Sequence, residues 1–198
     1  MAEWLILQLP CNGESSCAWM LLDAGGNALS APSVGSIAQA AAESAGRKVG
    51  LVVASGDVLL TEVELPPKSA VRAQQLVAYA LEEQLAADID TLHFAVGARD
   101  EVTGRTAVAV VTRALMTSWL EELAGNGLQA TAVCAGASLL PDNPGHTVVM
   151  LERDTLSLRR AGRPAMALPA DNISAALEAS LGNELLADDL TKALRSRS

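Results

Sequence analysis

The apolar positions fall into short runs cut by turn residues, and their period changes along the chain. Residues 4–9 form an apolar run that stops at Pro10, and 17–22 form a second; both read as strands. Asp23-Ala24-Gly25-Gly26-Asn27 then supplies a turn before a third short strand at 28–30, so this segment reads as a hairpin. Ser36 opens an alanine-rich helix over 37–45, closed by Gly46. Residues 49–54 are apolar throughout and rich in β-branched side chains, which predicts a strand covered on both faces.

A strand at 58–65 is stopped by Pro66-Pro67, and the period then becomes helical, with Ser69 as a candidate N-cap. Ala73, Leu76, Val77, Ala80, Leu81 and Leu85 make one apolar face, while Arg72, Gln75, Glu82 and Glu83 lie on others. Strands at 92–99 and 105–113 flank a turn at 100–104. A helix over 114–124 ends at Gly125-Asn126-Gly127, and 128–134 is a strand. After the turn cluster at 141–145 come three meander strands, 147–152, 155–160 and 165–168, then helices at 172–181 and 184–194. Strands interspersed with helices predict an α/β layered core without a fixed-period repeat.

Composition narrows the function. Half of the 198 residues are hydrophobic and only 3% aromatic, so the core is built from Ala, Leu and Val. A net charge of −9 opposes binding to phosphate backbones, and the nearest thing to a basic stripe is Arg159-Arg160 with Arg163. Cys11, Cys17 and Cys134 form no C-x-x-C pair, which fits buried thiols in a reducing compartment. No run of about 18 apolar residues occurs, so no membrane-spanning segment is expected in this sequence.

Catalytic constellations are incomplete. His93 and His146 are the only histidines, and neither has a Cys or His three or four residues away. Ser138 lacks the second glycine of a nucleophile elbow, and no glycine-rich phosphate loop is present. Asp23-Ala24-Gly25-Gly26 contains a D-x-G, the element that grips phosphate in actin-type folds with a following Thr or Ser; here Asn27 and Ala28 follow, as in an ordinary turn. A two-metal nuclease needs acids on its first strand, and 4–9 carries none. Glu62 and Glu64 share one strand face and read as a solvated edge. No catalytic, metal-binding or cofactor-binding residue is assigned.

The densest acidic group is Glu82, Glu83, Asp88 and Asp90, where the long helix ends. The helix dipole disfavours anions there by about 0.3–1 kcal/mol each, so the group reads either as a solvated surface or as the complement of a basic protein surface. Arg99 and Glu101, at the hairpin, join these four as candidate partner-binding residues.

Residues 58–97 resemble the cytoplasmic domain of protein L of the type II secretion system (general secretion pathway protein L). Leu65-Pro66 precedes the helix, Leu81-Glu82-Glu83-Gln84-Leu85-Ala86-Ala87-Asp88 ends it, and Leu92-His93-Phe94 begins the next strand. Gly127-Leu128, Ser138-Leu139-Leu140-Pro141 and the Leu158-Arg159 strand extend the likeness. The resemblance implies an actin-like (ASKHA) α/β fold with ribonuclease H-like subdomains, mixed sheets flanked by helices, at 1–57 and 128–198. Residues 58–127 would be a strand-helix-hairpin-helix subdomain for partner docking. It implies a non-catalytic scaffold without cofactor at the cytoplasmic face of the bacterial inner membrane. Its expected partners are the N-terminal domain of the secretion ATPase, other inner-membrane platform proteins and a second copy of itself. The alternative is an actin-like ATPase using Asp23 and Gly25. Lys192, Arg195 and Arg197 would fit the cytoplasmic flank of a following membrane helix.

Overall fold

The computed structural model describes residues 3–9, 16–65, 73–152 and 154–172. The first elements are β1 (Trp4–Gln8), β2 (Cys17–Leu22), β3 (Ser33–Gly35), α1 (Ile37–Ala42) and β4 (Lys48–Val53). Then come β5 (Leu59–Glu64), α2 (Ala73–Leu81), β6 (Leu92–Arg99), β7 (Arg105–Thr112) and α3 (Arg113–Gly125). The last are β8 (Ala130–Ala135), β9 (Thr147–Glu152), β10 (Thr155–Arg160) and β11 (Met166–Pro169). The expected terminal helices, the Ser69 cap, Pro66-Pro67, Cys11 and the three C-terminal cations lie outside the described residues.

The first four strands and β8 form one sheet in the order β3-β2-β1-β4-β8. β1, β2 and β3 pair antiparallel; β4 and β8 continue parallel to β1 on its other side. This is the ribonuclease H-like arrangement, so the α/β class expected from the sequence holds. β4 lies between β1 and β8 and is buried along Val49–Val53, as its unbroken apolar run predicts. Gly50 sits where a Cβ would meet Ile6 Cδ1 at 2.9 Å, so a larger residue there would require the tip of Ile6 to shift. Trp119 and Leu123 of α3 close the core against Leu5, Leu7, Leu51 and Val53.

The boundaries of β3 and α1 differ from the sequence pattern. The third strand is at 33–35, and Ala28 makes only an isolated bridge to Leu22. Ser30 Oγ accepts the Leu21 amide at 3.2 Å, so a side chain takes the donor that a continuing strand would have used. α1 begins as predicted with a capping box between Ser36 and Gln39, but ends at Ala42, with Glu43 as its C-cap.

β5, β7 and β6 form a second, antiparallel sheet, and β9–β11 a third. α2 packs Val77 and Leu81 onto Val63, Phe94, Val108 and Val110. Ala80, expected on that face, is exposed. The first and third sheets are joined through the turns that follow β4 and β8. There, fully enclosed, Ser55 Oγ accepts the Ala137 amide at 2.8 Å.

Candidate partner-docking site

α2 ends at Leu81, and the chain tightens into a 3₁₀ turn over Glu82–Gln84 before Leu85 becomes extended. Glu82 and Glu83 are thus just past the α-helix rather than inside its last turn, and both are exposed. A second 3₁₀ turn, Ile89–Thr91, is capped by Asp88, whose Oδ1 accepts the Asp90 amide at 2.9 Å. Asp88 therefore has a structural use, while Glu82 and Glu83 project into solvent. The Asp90 carbonyl accepts from Arg113 Nε at 3.1 Å, which fastens the acidic turn to the start of α3. A cation there opposes the α3 dipole, and the carbonyl compensates for it.

The six residues expected at a partner surface do not form one cluster; they bracket β6. Asp88 and Asp90 precede the strand, Arg99 ends it and Glu101 lies in the hairpin beyond. Eight residues at about 3.3 Å each put roughly 23 Å between the two ends. Arg99 Nη1 donates to the Leu65 carbonyl at 2.7 Å, so this side chain is tied to its own sheet. Glu101 is exposed in a turn held by Asp100, whose Oδ1 accepts from the Val102 and Thr103 amides at 2.7 and 2.9 Å. Those bonds, Thr103 first, hold the Asp100 carboxyl below the usual range.

Two residues that pattern reading passed over, Tyr79 and Arg113, join Asp90 and His93 at the site. Tyr79, His93 and Arg113 line a cleft of about 550 Å³ together with Asp90 and Phe94. Tyr79 is the only tyrosine of the chain and is 69% exposed. Its position away from the Val77 and Leu81 face of α2 was the available signal: a lone aromatic on a polar helix face in an aromatic-poor chain. Tyrosine and arginine are the side chains that most often anchor protein interfaces.

Two acidic features outside this site have internal partners. Asp23 Oδ1 accepts from the Gly25 and Asn27 amides at 2.8 and 2.9 Å, and its Oδ2 accepts from Asn27 Nδ2 at 2.9 Å. The turn closes on itself, and Asn27 holds the Asp23 carboxyl below its usual range. Glu62 is not on a solvated face: it is half-buried and pairs with Arg105 at 2.6 Å and Arg163 at 3.4 Å. Burial pushes the Cys17 and Cys134 thiols up. Among the described residues, no three His, Cys, Asp or Glu side chains converge on a point.

The family model for type II secretion system protein L matches residues 5–188. The chain belongs to this family. It is 29% identical over 182 residues to type II secretion system protein L of Pectobacterium carotovorum, covering 89% of this chain and 42% of that protein. The corresponding protein of Dickeya chrysanthemi is 30% identical over 142 residues, covering 70% of this chain and 35% of that protein. The chain thus spans less than half the length of these relatives.

Among solved structures, the fold matches the cytoplasmic domain of EpsL, an inner-membrane component of the type II secretion system of Vibrio cholerae. The TM-score is 0.75 at 22% identity over 92% of this chain and 78% of that one. It also matches a chain of the PilM–PilN type IV pilus biogenesis complex, with a TM-score of 0.60 at 18% identity over 99% and 70%. These likenesses are of fold, and the α/β class of mixed sheets flanked by helices expected from the sequence is the class of the structure. Among the described residues, no helix is long and apolar enough to cross a membrane.

Proposed function

We propose that the chain is a non-catalytic scaffold of the type II secretion inner-membrane platform, at the cytoplasmic face of the bacterial membrane. Its task is to recruit the N-terminal domain of the secretion ATPase. Family membership supports the setting, since the similar EpsL domain is described as the cytoplasmic part of an inner-membrane component. One observation carries the docking role. The exposed Asp90 and the exposed Tyr79 border one cleft on the small β5-β7-β6 unit, away from the main core, with Asp88 just before Asp90 in the same acidic turn. A rigid sheet that presents an aromatic anchor beside an exposed acidic turn suits a basic protein surface, with charge giving steering and Tyr79 giving affinity.

The docking unit in this reading is the 58–127 segment. Its α3 also packs on the five-stranded sheet and so couples the unit to the core. The self-contained Asp23 turn supports the absence of nucleotide chemistry, because its carboxylate oxygens already have internal donors.

The test is a calorimetric titration of the chain with the ATPase N-terminal domain at low salt. The double substitution Glu82→Lys and Glu83→Lys, which leaves the Asp88 cap intact, is expected to weaken binding about tenfold or more. Unchanged affinity would remove the acidic turn from the interface. ATP with magnesium is expected to give no binding heat, and a saturable signal would favour a nucleotidase instead.

A further inference from the structure

We propose that the outer edge of β6 receives an extended basic segment of a partner protein, which adds a fourth strand to the β5-β7-β6 sheet. This deepens the docking reading by specifying how the partner is held.

β6 is the terminal strand of its sheet, and no described strand pairs with its outer edge. Edge strands are ordinarily blunted by lysine, proline or charge. The β6 sequence, LHFAVGAR, has no lysine or proline, and its one formal charge, Arg99, is tied to Leu65 at the hairpin end. Ala95, Gly97 and Ala98 are exposed. Leu92–Val96 keeps regular register with β7, and the irregularity begins only after Val96. The result is a regular, uncharged stretch over Leu92–Val96 that no described strand pairs on its outer edge, with the irregularity confined to the hairpin end.

Cavities lie at both faces of this stretch. On the α2 side is the cleft bordered by Tyr79, Phe94 and Asp90. On the other face is an apolar groove of about 320 Å³, floored by Ala95, Gly97, Ala107 and Ala109 and walled by Arg159 and Pro164. A Cβ at Gly97 would meet the Ala107 carbonyl oxygen at 3.3 Å, so the groove floor there is backbone. Side chains of an added strand alternate between faces. They would enter cleft and groove in turn, the combination by which strand addition obtains affinity from the main chain and selectivity from pockets. Charge complementarity favours a basic occupant: Asp88 and Asp90 are exposed immediately before β6, Glu82 and Glu83 are exposed earlier in the same acidic segment, and the whole chain carries −9.

The test uses the full chain with an end-capped octapeptide of alternating lysine and valine, read by amide-resolved hydrogen exchange and fluorescence anisotropy. Expected results are protection of alternate amides within 92–98, and at least about tenfold weaker binding by the same peptide N-methylated on alternate residues. A glutamate–valine peptide should not bind. Ala95→Arg, which fills the groove, should weaken binding by a similar factor with an unchanged melting temperature. Equal binding of the N-methylated peptide, absence of binding, or protection away from β6 would overturn the proposal. So would protection of β6 that rises with protein concentration alone, which would give the edge to a second copy. ATPase binding with β6 amides unprotected would overturn strand addition yet leave the docking reading standing. Peptide binding without ATPase binding would do the reverse.

Discussion

Asp23 and Asp100 each accept hydrogen bonds from the backbone of their own turn, and Asp23 also accepts from the Asn27 side chain. These bonds favour the charged form and lower both carboxyls from an ordinary value of 3.8. A lowered value in the folded state means stabilisation that is complete above 3.8 and disappears as pH falls through the lower folded values. The melting-temperature difference between the wild type and an Asp23→Asn, Asp100→Asn double variant should therefore shrink as pH drops from about 6 to about 2. A constant difference across that range would show that the carboxylates do not act through their charge. Ser55 is a second residue with a single clear duty. Ser55→Ala would leave the buried Ala137 amide without an acceptor, a loss of about 1–3 kcal/mol readable by urea unfolding. The same variant should leave ATPase binding untouched.

At the scale of elements, legibility followed how far local signals agreed with packing. β4 was plain because its apolar run is buried on both faces, and the start of α1 because Ser36 caps an alanine-rich run, a signal the structure completes with Gln39. β3 was misplaced because the Ser30 hydroxyl takes the Leu21 amide, a side-chain substitution that no period records. The end of α2 was overextended for a similar reason: Leu85 continues the apolar spacing, but extended backbone places it against the core after a 3₁₀ turn. Glu62 looked solvated from its strand parity, and its half-buried pairing with Arg163, 101 residues away, had no local trace. The candidate site divides along the same line. The acidic turn was evident as a run of like charge, whereas the joining of Tyr79, His93 and Arg113 into one cleft required the sheet to form. A consequence belongs here: Leu81→Ala should cost about 2–5 kcal/mol by detaching α2 from its sheet. It should also lower ATPase affinity, because the acidic turn hangs from the end of that helix.

At the scale of the molecule, a negative chain meeting a basic partner should associate in a strongly salt-dependent way. At 1 M ionic strength, where screening acts over about 3 Å, most of the steering should vanish. The five-stranded sheet and the smaller β5-β7-β6 sheet each have a hydrophobic cluster of their own, and in the proposed function the smaller sheet presents the recognition surface. The most direct measurement is the calorimetric titration of the chain with the secretion ATPase N-terminal domain, for wild type and for the Glu82→Lys, Glu83→Lys variant. Saturable binding by the wild type, at least about tenfold weaker in the variant at low salt and with both folded, is the expected result. Equal affinities, or no binding by the wild type, would contradict a scaffold that holds its ATPase through the acidic turn.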